Sequence, residues 1–85
     1  MRLRRHKSFE KDYRKLKSAQ RGRLKQAFGL FITSPSHLDL YNHALSGEWA
    51  DYRSISFGGD WRAHYKVVDG QAVFVACGTH SQLYK

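Results

Sequence analysis

The residues able to do chemistry gather in the last third of this 85-residue chain. Gly59-Asp60-Trp61-Arg62 opens one strand-like segment, Gly78-Thr79-His80 closes the next, and Tyr84 follows. A histidine and a tyrosine just past a strand end, beside an arginine on the neighbouring strand, can perform acid–base work on a phosphodiester. Metal-free cleavage of RNA uses the ribose 2′-hydroxyl as nucleophile on its own phosphate. It needs a base for that hydroxyl, an acid for the departing 5′-oxygen and positive charge on the crowded phosphate. Histidine fits either proton role because its reference pKa is about 6.5. A guanidinium such as that of Arg62 binds phosphate in bidentate fashion.

The elements that must hold these residues read as follows. Met1–His6 is a short, charged edge strand. Ser8 is placed to cap a first helix, with Glu10 and Asp12 in its first turn. Phe9, Tyr13 and Leu16 recur on one helical face. A second helix runs from about Ala19 to Thr33 with Leu24, Ala27, Phe28 and Phe31 as its stripe, and Ser34-Pro35-Ser36 ends it. Leu38–Ala50 has no regular pattern and reads as a connecting loop. Three strands follow: Tyr52–Phe57, Trp61–Val68 and Gln71–Cys77, joined at Gly58-Gly59 and Asp69-Gly70, both tight-turn signals. The third is nearly all apolar, as a strand covered on both faces is. The expectation is one α+β domain over 1–85, a two-helix hairpin on an antiparallel sheet of three or four strands.

In the middle strand Trp61, Ala63, Tyr65 and Val67 alternate with Arg62, His64, Lys66 and Val68. If the first set faces the helices, Arg62, His64 and Lys66 form a cationic row on an open face, a surface for phosphates. The plainer reading is a polar face that meets water.

Composition narrows the function. Net charge is +8, and its distribution is uneven. Residues 1–26 carry eleven Lys/Arg against Glu10 and Asp12, a net of +9, whereas residues 27–85 are net −1. So large an asymmetry favours a polyanionic partner, RNA, DNA or an acidic protein, over a merely solvated helix face. No apolar run nears the ~18–20 residues that span a bilayer. The charged start has no apolar stretch behind it, so no secretory signal is expected. A single cysteine, Cys77, allows no internal disulfide and fits a reducing cytosol.

Each candidate also has a structural reading. His43 can cap a loop, Asp60 can serve only as a turn residue, and Tyr84 can pack its ring and bond its hydroxyl. Trp49 and Trp61 are large enough to be core, and His64 can lie in solvent. Cys77 reads as a buried filler. A zinc site from His43, His64, His80 and Cys77 lacks any close-spaced ligand pair, so no metal or cofactor is expected.

The motifs Asn42-His43-Ala44-Leu45-Ser46-Gly47-Glu48-Trp49, Tyr52-Arg53, Gly59-Asp60-Trp61-Arg62, Tyr65-Lys66 and Gly78-Thr79-His80-Ser81-Gln82-Leu83-Tyr84 resemble the YafQ branch of the RelE/ParE toxins of bacterial type II toxin–antitoxin systems. The resemblance runs through essentially the whole chain. It implies a RelE-like fold and a cytoplasmic, ribosome-dependent messenger-RNA endonuclease, restrained by a cognate acidic antitoxin. His80 then corresponds to the C-terminal catalytic histidine and His43 to the loop histidine. Asp60 and Trp61 match an Asp-Trp pair, Tyr84 a functional aromatic and Arg62 a phosphate-binding arginine. The implied roles are His80 as general acid, Asp60 or His43 as general base, and Arg62 with Lys66 on the phosphate. Trp61 and Tyr84 would stack on or orient bases, with His64 a further RNA contact. Two positions depart from the branch. Ser56 stands where it has a histidine and Ala76 where it has an arginine; Arg62, His64 or Lys66 are the groups available to compensate.

Two other functions use the same fold. One is a ParE-type toxin directed at gyrase, which lacks nuclease chemistry; Gly-Thr-His and Asp60 argue against it. The other is a catalytically degenerate module that keeps affinity for RNA or antitoxin, an idea the departures at Ser56 and Ala76 favour.

Overall fold

The computed structural model describes residues 1–84, so the last residue of the expected 1–85 domain lies outside them. The chain runs β1 (Arg2–Arg5), α1 (Lys7–Arg14), α2 (Ser18–Thr33), β2 (His43–Ala44), β3 (Arg53–Gly58), β4 (Trp61–Val68), β5 (Gln71–Thr79) and α3 (His80–Leu83). Short 3₁₀ turns at Leu38–Leu40 and Gly47–Trp49 punctuate the connection between α2 and β3. The architecture is α+β as expected, but the sheet has five strands in the order β1-β5-β4-β3-β2 and is mixed. The strands β2 to β5 form an antiparallel meander, and β1 pairs parallel to β5. Strand β2 is only two residues long and lies inside the segment expected to be loop. It gains its conformation from pairing His43 with Ser54 and Ala44 with Arg53, which no local pattern announces.

The helices cover one face through an aromatic cluster centred on Phe74. Its ring lies 4.7 Å from Phe28, 5.4 Å from Phe31, 4.9 Å from Tyr65 and 6.1 Å from Phe9, centroid to centroid. Phe9, Leu24, Phe31, Leu40 and Ile55 complete the fully buried set. The stripes read from helical spacing are therefore the ones that pack, although each helix lies on the sheet, α1 on β5 and α2 on β3. Asp69 and Gly70 both adopt positive φ, 52° and 74°, the geometry a two-residue primed turn demands.

Strand β1 ends at Arg5, whereas β5 continues to Thr79, so the far half of β5 has a free edge. Helix α1 closes it with side chains. Ser8 Oγ donates to the Val75 carbonyl at 2.6 Å, and Asp12 Oδ2 accepts from the Cys77 amide at 3.1 Å. These residues stand four apart, one turn of helix, and so share a face. Ser8 is consequently not the cap of α1. The N-cap is His6, whose Nδ1 accepts from the Ser8 amide at 3.1 Å. Beside Asp12, burial pushes the Cys77 thiol up to about 12, with the Asp12 charge acting in the same direction, so it behaves as an inert filler. No helix among the described residues is long and apolar enough to cross a membrane.

The edge closure makes a prediction. Asp12→Leu should cost about 1–3 kcal/mol in urea unfolding, because the Cys77 amide loses its acceptor. Asp12→Asn, which retains an oxygen, should cost clearly less; equal losses would show that the hydrogen bond is immaterial.

Candidate active site

The second face of the sheet is not open. Across β2, β3, β4 and β5 the ladder sets His43, Ser54, His64 and Ala76 in one row. The residues around Trp49 and the C-terminal helix α3 fold over that row. Trp49 presents its ring edge-on to His64 at 4.4 Å, and its Nε1 donates to the Leu83 carbonyl at 3.2 Å, tying loop to helix. His64 is fully buried as a result. The expected cationic row is thus broken at its centre, and the expectation that His64 touches RNA directly is corrected, since its ring meets no solvent. The alternation behind the row does hold: Ala63 and Tyr65 are buried on the helix side, opposite His64. Val67 lies beyond the helices and is exposed.

Helix α3 is set by its first residues. Thr79 and Gln82 form a capping box: Thr79 Oγ1 accepts from the Gln82 amide, and Gln82 Oε1 accepts from the Thr79 amide at 2.8 Å. A Cβ at Gly78 would stand 2.7 Å from that same Gln82 oxygen, so a side chain there would displace the Gln82 arm of the box. The Thr-x-x-Gln spacing was readable in the sequence and escaped notice beside the histidine. The box leaves His80 at the first helical position, exposed, with its amide donating to the Asp60 carbonyl at 3.0 Å. Asp60, in the β3–β4 turn, is thereby locked next to His80 through the backbone, with its carboxylate exposed.

Tyr84 follows at the helix end. Its ring lies against His80, 4.4 Å between centroids and tilted by 34°, and its hydroxyl lies 3.3 Å from His64 Nε2. Burial raises the phenol's pKa, opposed by Arg62. On β4, Arg62 Nη1 donates to the Ser56 hydroxyl at 3.2 Å, the Gly59 carbonyl at 2.7 Å and the Trp61 carbonyl at 2.9 Å. One nitrogen anchors the guanidinium to the turn. No carboxylate among the described residues lies within ion-pair distance of it. At the far end of the row, His43 Nδ1 stands 2.9 Å from the Tyr41 carbonyl. A carbonyl can only accept, so Nδ1 carries a proton, and it is Nε2 that is free to gain or lose one.

Two expected contacts lie elsewhere. Trp61 is half-buried on the helix side against Phe57, on the opposite face from Arg62 and His64, so it does not join the cluster. Lys66 stays exposed with its ammonium 5.5 Å above the Tyr52 ring. Across the ladder, Ser56 pairs directly with Arg62, and Ala76 with His64. Each small residue thus has a nitrogen-rich side chain directly across from it on β4. Among the described residues no three His, Cys, Asp or Glu side chains are grouped to hold a metal ion.

Burial lowers the His64 pKa to about 4, and the nearby charges of His43, His80 and Arg62 push the same way. His64 is therefore neutral at pH 7. The unfolded chain binds this proton below about pH 6.5 and the folded chain only near pH 4. Its contribution is complete above pH 6.5 and is lost as pH falls toward 4, by up to tenfold in the folding constant per pH unit. Urea midpoints between pH 7 and pH 4 should show this slope in the wild type and a shallower one in His64→Leu; identical slopes would contradict the assignment.

The model for the bacterial toxin YafQ of type II toxin–antitoxin systems matches residues 1–85. Among solved structures, YafQ from Escherichia coli strain BL21(DE3) is 27% identical over 100% of both chains, with a TM-score of 0.78. The E. coli DinJ–YafQ complex contains a chain 27% identical over 100% of both chains, with a TM-score of 0.76. The RelB–RelE antitoxin–toxin complex from Methanococcus jannaschii shares the fold, at 22% identity, 95% of this chain, 94% of that chain and a TM-score of 0.75. No curated protein sequence matches. With the family model matched from end to end, the chain belongs to the YafQ family of bacterial type II toxin–antitoxin toxins.

Proposed function

We propose that this toxin is a metal-independent endoribonuclease that cleaves messenger RNA on the ribosome and so stops translation. The observation that carries the reading is the arrangement of His43, His80 and Arg62 about one buried imidazole: His43 shares its ladder row, Arg62 stands two residues before it on β4, and His80 is linked to it through the Tyr84 ring. They supply the three functions a 2′-hydroxyl attack requires: two proton-transfer groups and a cation.

His80 is the general acid. It is exposed, and its backbone is held to the Asp60 carbonyl, so its ring starts from a fixed point. His43 is the better general base, because its Nδ1–H is spent on Tyr41 and Nε2 is left to take the 2′-hydroxyl proton. Asp60 is the alternative base, on the same turn as the phosphate group's partner Arg62. Arg62 keeps its remaining N–H donors for the phosphate, and Lys66, four residues further along β4, adds charge only at a distance. Tyr84 orients the leaving side by lying against His80, and Trp61 at the sheet's other face can meet only a flanking base.

The +9 charge of residues 1–26 favours a polyanionic substrate and a large RNA surface such as the ribosome. The same charge favours an acidic antitoxin; DinJ is complexed with YafQ and RelB with RelE in the relatives' structures. A cytoplasmic site of action follows from these partners.

Cleavage of a messenger RNA in a purified translation system tests the reading. Wild type should cut, His80→Ala should lose at least about 10²-fold in rate, and Arg62→Ala should lose a comparable factor. Antitoxin affinity of His80→Ala should be nearly unchanged. Intact RNA with translation still running would replace the nuclease with a binding module.

A further inference from the structure

His64 has no role in the chemistry above, yet it touches Tyr84, whose ring lies against His80. A fully buried histidine is a poor choice for packing alone. Its Nδ1 has no hydrogen-bond partner, and neither does the buried hydroxyl of Ser54, the residue directly opposite it on β3. Such groups are destabilising when left unmatched. A leucine would fill the space under Trp49 without that cost.

The one polar contact of the ring points at the site: Nε2 meets the Tyr84 hydroxyl at 3.3 Å. The Tyr84 ring in turn lies against His80. The imidazole is also walled in by Trp49, with the small Ala76 across from it on β5, so its own position is fixed by packing. Tyr84 sits at the last turn of a four-residue helix, where backbone alone constrains it weakly.

We propose that His64 is a positioning residue: its buried imidazole fixes the Tyr84 hydroxyl and, through the Tyr84 ring, the orientation of the His80 imidazole. The assignment rests on the nuclease reading for its kinetic consequence, but not for the contact itself. Because His64 is neutral at pH 7, one ring nitrogen donates and the other accepts, and Nε2 can serve Tyr84 in either sense. His43, His80 and Arg62, the charged or titratable groups around it, all act to keep it neutral.

The test compares wild type with His64→Leu, His64→Gln, Tyr84→Phe and the Leu/Phe double variant of the full chain. Three quantities are read: the urea midpoint, kcat and KM in the translation system, and the imidazole NMR signals of His80. In His64→Leu the midpoint should hold or rise, while kcat falls on the order of 10- to 100-fold at unchanged KM. His64→Gln, which keeps a polar terminus for Tyr84, should recover part of kcat. The double variant should be no slower than the worse single one. The His80 signals should move in His64→Leu and Tyr84→Phe alike. Unmoved His80 signals, unchanged kcat, or activity lost only in step with stability would overturn the proposal. If the wild type fails to cut RNA, the nuclease reading falls, and the His80 signals still decide the positioning contact.

Discussion

The candidate site depends on one packing arrangement: the edge-on contact of Trp49 with His64 on the face of the sheet that the helices leave bare. An antiparallel sheet can leave one face to water. Here a loop and a single helical turn cover it, and their hold is slight. It consists of the Trp49 bond to the Leu83 carbonyl, the capping box at Thr79, the His80 amide on Asp60 and the Tyr84 contact with His64. Remove the indole, and both the loop and α3 lose their common support. The candidate site residues come from β2, the β3–β4 turn, β4 and α3, the elements around this second small core.

The strong hydrophobic core lies on the other face and is nearly independent of the chemistry. Phe74 gathers the rings of α1, α2 and β4, and α1 closes the edge of β5 through Ser8 and Asp12. This separation lets the active face carry buried polar atoms without partners, at Ser54 and His64, because the stability of the sheet is supplied elsewhere. The basic charge is likewise carried mainly by β1, α1 and α2. Among the described residues Arg5 is the member engaged with a carboxylate, through Glu10, and Arg5 and Arg21 stack on Tyr13. A broad field for a polyanion and a local site for phosphate chemistry thus occupy different parts of the molecule.

Register also sets what faces Ser56 and Ala76. They flank β4 on either side, opposite Arg62 and His64. The two facing groups are not equivalent. Arg62 is held at the β3–β4 turn, whereas His64 is sealed under Trp49.

The elements with strong local periodicity were legible in the residues. The stripes of α1 and α2, the alternation of β4, the Asp69-Gly70 turn and the apolar β5 follow from short-range sterics and amphipathicity. The candidate residues His43, Asp60, Arg62, His80 and Tyr84 were legible from type and motif, as was the concentration of charge. Tertiary structure alone decided the rest. It formed β2 from two residues with no strand pattern and made the sheet mixed by returning β5 beside β1. It turned Ser8 from cap to edge partner. It buried His64, because whether a polar residue on a strand meets water depends on what folds over it. That is a long-range fact, written at Trp49 and Tyr84, fifteen and twenty residues away in the chain.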